Sequence, residues 1–99
     1  MKSVSLIQLG GEFCTQRDNP GIVLLKAEIE RALLAKNAIA IDRTGVRIVS
    51  VSFIDELLAD LAVKYSVDQI EAYVQFRPPL EPFLKDQIAR GSRLRTIRS

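Results

Sequence analysis

One segment, residues 39–61 (IAIDRTGVRIVSVSFIDELLADL), constrains the fold of this chain more than any other. It begins with an uninterrupted apolar run, which is typical of a strand covered on both faces. An Asp-x-Thr-Gly turn, a short β-rich run and an amphipathic helical pattern follow. This order of elements predicts an α/β fold with parallel strands.

The patterns in the rest of the chain extend this expectation to about four strands and three helices. We expect strands at residues 4–9, 38–41 and 70–76, a short extended run at 46–51, and helices at 20–37, 52–65 and 79–91, with a loop at 10–19. The third helix should bury Leu80, Phe83, Leu84 and Ile88 and end near Gly91. Right-handed crossovers place the strands near Ile39 and Ile70 parallel. The sequence therefore predicts one α/β domain over residues 1–99, with a mixed, mostly parallel sheet and helices packed against it.

The residue types present argue against an enzyme. The chain has no histidine, which removes the commonest general base and the commonest metal ligand. It contains neither a glycine-rich phosphate loop nor a calcium-loop pattern of aspartates. We expect no catalytic residues, no metal and no cofactor. Use of Asp42, Asp55 or Glu56 as a general base is the weaker hypothesis.

Two further features of the sequence bear on the cellular location of the protein. The single cysteine, Cys14, has no partner for an internal disulfide, which fits a reducing cytoplasm. No apolar run reaches 18 residues, so a membrane-spanning helix is not predicted. The expected location is the cytoplasm.

The C-terminal residues are basic, although the net charge is only +2. The arginines of this tail are Arg90, Arg93, Arg95 and Arg98. A nucleic-acid-binding accessory domain is therefore an alternative function. No aromatic residues are interleaved with these arginines, as base stacking would require, and cations also suit the C-terminal end of a helix dipole. A solvated helix end is the competing interpretation.

Ser52 lies where the β-rich run passes into the second helix, and it has two interpretations. Ser52 and Asp55, three residues apart, resemble an N-capping arrangement, which stabilises a helix by about 1 kcal/mol. Alternatively, Ser52 is a phosphate acceptor. A phosphate brings about −1.5 to −2 charges, which the helix dipole favours and the carboxylates of Asp55 and Glu56 oppose.

The central residues resemble a known family. The matching segments are IAIDRTGV at 39–46, IVSVS at 48–52 and SFIDEL at 52–57, about 20 of the 99 residues. They resemble the STAS fold of anti-anti-sigma factors and sulfate-transporter tails. The closer similarity is to the bacterial STAS-like family of unassigned function, whose central segment also favours a Ser-Phe-x-Asp-Glu-Leu pattern.

The resemblance implies a function and a partner. In anti-anti-sigma factors a partner kinase phosphorylates the second serine of an Asp-Ser-Ser-Gly signature. That serine falls on Ser52 here, while the other signature positions hold Ser50, Val51 and Phe53. Proteins of the STAS-like family are often encoded beside, or fused to, histidine-kinase-like ATPases. The resemblance thus implies a non-enzymatic regulatory module for protein–protein interaction in bacterial signalling, with such an ATPase as partner.

The residues around the start of the second helix are the candidates for partner binding. Arg43, Thr44, Arg47, Asp55 and Glu56 would form a polar rim. Phe53 either enters the core or stands exposed as an aromatic anchor. Asp42 is expected to fix its turn through the backbone. Because small domains with open sheet edges often pair, a homodimer is a further expectation.

Overall fold

A computed structural model describes residues 1–98 of the chain. These residues form five strands and five helices. In chain order they are β1 Lys2–Ser5, α1 Leu6–Gly10, β2 Phe13–Cys14, α2 Gly21–Ala35, β3 Ile39–Asp42, β4 Ile48–Val49, α3 Val51–Tyr65, α4 Val67–Tyr73, β5 Val74–Arg77 and α5 Pro82–Arg98. No helix in this range is both long and apolar enough to cross a bilayer.

The strands form two parallel sheets. The larger has the order β1-β3-β5, and the smaller pairs β2 with β4. All three strand pairings are parallel. Ile39 lies opposite Val74, which confirms the parallel arrangement predicted for these two regions. The α/β class and the mostly parallel sheet are therefore confirmed, whereas the mixed sheet and the count of three helices differ from the structure.

The centre of the core is β3, as its apolar sequence predicts. Ile39, Ala40 and Ile41 are all buried, and β1 and β5 flank the strand in the sheet. On β5 only alternate residues are buried: Val74 and Phe76 pack inward, and Gln75 and Arg77 are exposed. One face of this edge strand is therefore open.

Two predicted strands are shorter in the structure because a serine starts a helix. The hydroxyl of Ser5 accepts a hydrogen bond from the Gln8 N–H, and β1 gives way to α1. The hydroxyl of Ser66 similarly accepts from the Gln69 N–H at 3.2 Å and caps α4. The first part of the alternating apolar segment at residues 70–76 therefore lies in α4, and the strand begins only at Val74.

The ends of the first predicted helix are close to those observed. The side chain of Asn19 accepts a hydrogen bond from the Gly21 N–H at 2.9 Å, which supports the first turn of α2. At the other end Lys36 adopts the left-handed conformation, with φ 55°. The helix ends there because that residue reverses the chain.

The last helix runs further than the sequence predicts. The sequence predicts an end near Gly91, but α5 continues to Arg98. Gly91 is buried against α3, where an added Cβ would lie 2.8 Å from the Cβ of Ala59. The glycine therefore permits close helix packing rather than a turn. Phe83, predicted to be buried, is 58% exposed, whereas Leu80, Leu84 and Ile88 are in the core.

Candidate functional site

The passage from β4 into α3 is capped by Ser50, so the assignment of the cap to Ser52 is wrong. The hydroxyl of Ser50 accepts from the Phe53 N–H at 3.1 Å and donates to the Thr15 carbonyl at 2.9 Å. Ser50 is extended, and α3 begins at Val51, two residues earlier than a Ser52 cap requires. Ser52 is therefore the second residue of the helix, and it is half-buried.

Phe53 and Asp55, two of the candidates for partner binding, lie inside the protein. Phe53 is fully buried, so it is a core residue and not an exposed anchor. Asp55 is only 5% exposed. Its carboxylate accepts hydrogen bonds from Arg17 at 2.6 Å, from Gln87 at 3.1 Å and from two nitrogens of Arg95 at 3.0 and 3.2 Å. We call these four residues the Asp55 cluster.

The Asp55 cluster strongly favours the ionised carboxylate. Burial alone would raise the pKa of Asp55, but the hydrogen bonds from Arg17, Arg95 and Gln87 outweigh it and lower the pKa to about 2. Such a carboxylate is a poor general base at neutral pH. The cluster joins the segment after β2, helix α3 and helix α5, so its evident role is to hold these elements together.

Arg95, one of the arginines of the predicted basic tail, is therefore held inside the Asp55 cluster. Besides Asp55 it binds Asp60, with 2.6 Å between the guanidinium Nε and the carboxylate. Its charge is offset by two carboxylates. Arg90 and Arg93 are exposed on the same helix. The side chain of Arg98, the fourth arginine of the tail, lies outside the described part of the chain, as does Ser99.

Arg43 and Thr44 act within the protein, at the turn after β3. Arg43 donates to the carbonyls of Pro78 and Pro79 at 3.1 and 2.7 Å and pairs with Glu81, so it ties this turn to the segment before α5. Thr44 donates through both its hydroxyl and its N–H to Asp42. The predicted role of Asp42 in fixing the turn is confirmed. These bonds also lower the pKa of Asp42.

Of the predicted rim residues, Thr44 is exposed at the turn after β3, and Arg47 and Glu56 remain accessible near the start of α3. Arg47 is exposed, and its guanidinium lies 3.4 Å from the carboxylate of Glu12. Glu56 is half-buried, with its carboxylate 3.6 Å from Arg17. Both therefore belong to a charged border around the β4–α3 passage.

The structure also reveals an exposed apolar surface there. Phe13 and Ile48 lie directly opposite each other in the β2–β4 pairing and are 54% and 51% exposed, while their neighbours Cys14 and Val49 are buried. Val51, the first residue of α3, is exposed as well. We call Phe13, Ile48 and Val51 the ribbon patch.

Sequence reasoning missed the ribbon patch because residues 10–19 resemble a loop. Phe13 is the single aromatic residue of that polar stretch, and this is the one signal that could have pointed to it. Within residues 1–98 there is no group of three acidic, cysteine or histidine side chains arranged to hold a metal ion.

Ser52 adjoins the ribbon patch in sequence, since it follows Val51 directly. The site that the structure presents is therefore an apolar patch with a charged border and a serine at its helical margin. Comparison of the chain with protein-family models, with curated proteins and with solved structures found no match.

Proposed function

We propose that this chain is a non-enzymatic protein-interaction module of STAS-like fold that binds its partner through the ribbon patch. The observation that carries the proposal is the pairing of Phe13 with Ile48. Their register buries Cys14 and Val49 on the inner side and leaves two large apolar side chains in solvent. Burying such side chains in an interface contributes about 1.5–3 kcal/mol for each one fully covered.

The surroundings of the ribbon patch have the composition of an interface. A central aromatic residue bordered by polar groups is typical of binding hot spots. Arg47 and Glu12 form an exposed ion pair at the border, and the carbonyl of Glu12 accepts from the backbone N–H groups of Arg47 and Ile48. These backbone bonds hold the two short strands together, so the patch is a preformed surface.

The resemblance to the STAS-like family supplies the partner class, a histidine-kinase-like ATPase in bacterial signalling. Ser52 corresponds to the serine that is phosphorylated in anti-anti-sigma factors, and it lies next to Val51 of the patch. A phosphate there would bring about −1.5 to −2 charges beside an apolar contact surface and near Glu56. We expect it to weaken partner binding.

Chemistry at the carboxylates supports a non-enzymatic role. Asp42 and Asp55, two of the three residues considered as general bases, have lowered pKa values and hydrogen-bonded oxygens. Both carboxylates are occupied in positioning backbone or arginine side chains. Their hydrogen bonds stabilise the fold and oppose proton uptake.

The test is calorimetric titration of the chain with a histidine-kinase-like ATPase, the proposed partner class. Phe13→Thr/Ile48→Thr places β-branched residues, which suit strands, at both positions and removes the apolar contact. The matched control is Val23→Gln/Leu34→Gln, which changes two exposed apolar residues of α2. We expect affinity to fall at least about tenfold for the patch variant and to stay unchanged for the control. Equal affinities would overturn the proposal.

Regulation at Ser52 is tested separately, with Ser52→Asp compared with Ser52→Ala. If Ser52→Asp binds the ATPase as tightly as Ser52→Ala, then a negative charge at this position does not control the interaction. The patch can still be the binding surface in that case, so the two outcomes are distinct.

A further inference from the structure

The outer edge of β5 borders an apolar groove that the proposed function does not use. The groove has a volume of about 430 Å³ and is formed by β5, α4, α5 and the segment before α5. Its apolar lining consists of Ile70, Val74, Phe76, Leu80 and Ile88. It shares no residue with the ribbon patch. This volume is within the range of clefts that bind ligands.

The backbone of β5 is available for pairing along the groove. β5 is the last strand in the order β1-β3-β5, so no strand of residues 1–98 lies on its outer side. The Arg43 N–H donates to the Arg77 carbonyl at 2.8 Å, which shows that the backbone of Arg77 faces the β3 side. Because backbone groups alternate along a strand, the N–H and C=O of Phe76 face outward. An open edge of this kind is a template for a further strand.

The charged side chains that line the groove indicate the charge of its ligand. Arg77 and Lys85 are exposed and line it, as does Glu71. Among the described side chains Lys85 has no salt bridge, and Arg77 donates to Gln75 and to the sulfur of Met1 rather than to a carboxylate. With two cationic side chains and one anionic side chain, the lining of the groove carries a net positive charge. It is therefore complementary to an acidic segment.

From the open edge, the apolar lining and the two cations together, we propose that β5 binds an extended acidic peptide segment of a partner protein by strand addition. The backbone of Phe76 pairs with the peptide, an apolar side chain of the peptide enters the groove, and flanking carboxylates approach Arg77 and Lys85. In this mode of recognition the main-chain bonds supply affinity and the pockets select the sequence.

The experiment uses two capped hexapeptides, one alternating valine with glutamate and one alternating valine with lysine. Binding to the full chain is followed by fluorescence anisotropy and by the backbone amide signal of Phe76 in NMR spectra. We expect the glutamate peptide to shift the Phe76 signal and to bind at least about tenfold more tightly than the lysine peptide.

The variants are Lys85→Glu and, as a control of equal net charge on the same helix, Arg93→Glu. The charge reversal at Lys85 should lower the affinity for the glutamate peptide about fivefold. The charge reversal at Arg93 should leave this affinity unchanged. Equal binding of both peptides, or equal effects of both variants, overturns the proposal. A Phe76 signal that shifts with protein concentration alone also overturns it, because the occupant would then be a second copy of the chain.

Discussion

Arg95 donates two hydrogen bonds to the carboxylate of Asp55, at 3.0 and 3.2 Å, from a position 40 residues further along the chain. This contact joins α5 to α3, the two helices that pack most extensively on each other. Because Asp55 is almost fully buried, its charge needs these donors. The pair is therefore a main polar link between the C-terminal helix and the rest of the fold.

Replacing Arg95 with alanine should destabilise the protein by about 2 kcal/mol, because Asp55 would keep Arg17 and Gln87 but lose its bidentate partner. The free energy of unfolding in urea measures this. Arg93→Ala, which changes an exposed arginine on the same helix, should stay within about 0.5 kcal/mol of the parent chain. Similar losses for the two variants would contradict the role assigned to Arg95.

Stability should fall in acid as Asp55 becomes protonated. Its folded pKa of about 2 is below the ordinary value of 3.8, so the unfolded state binds more protons between these values. The contribution, about 2 kcal/mol, is complete above pH 4 and is lost as the pH falls towards 2. Urea unfolding from pH 6 to pH 2 should show a smaller pH dependence for Asp55→Asn than for the parent chain. Superimposable pH profiles would rule out this coupling.

The assignment of the α3 cap is tested by two neighbouring serines. Ser50→Ala should cost about 1–2 kcal/mol, because it removes the cap on Phe53 and the bond to Thr15. Ser52→Ala should change the free energy of unfolding by less than about 0.5 kcal/mol. A larger loss at Ser52 than at Ser50 would show that the helix begins two residues later.

Gly91→Ala should destabilise the chain by about 1–3 kcal/mol, although alanine is the better helix former. The added methyl group would meet the carboxylate of Asp55 and the side chain of Ala59. Ser92→Ala, at the next position of α5, serves as the control and should be neutral or slightly stabilising. Thermal unfolding of both variants checks the prediction, and a stabilised Gly91→Ala would show that the two helices are further apart.

The sequence predicts the regular parts of this fold because their patterns are local. The apolar run of β3 and the helical spacing in α2 and α3 identify those elements, and the turn at Asp42 follows from its own residues. Short elements were missed where a serine cap overrides an apolar pattern, as at Ser5 and Ser66.

The candidate site was harder to predict because it depends on contacts between distant residues. Asp55 resembles a surface carboxylate in the sequence, and only the approach of Arg17 and Arg95, 38 and 40 residues away, makes it internal. The ribbon patch likewise exists because Phe13 pairs with Ile48 across 35 positions. No local sequence pattern predicts that pairing, since each strand is only two residues long.

Hydrogen exchange of the chain, alone and mixed with the proposed partner, a histidine-kinase-like ATPase, tests the location of the interface most directly. If the ribbon patch is the binding surface, the amides of residues 12–14 and 47–52 should become protected in the complex, while those of Val23 and Leu34 on α2 should not change. Protection confined to other parts of the chain, with residues 12–14 and 47–52 exchanging as in the free protein, would contradict the account.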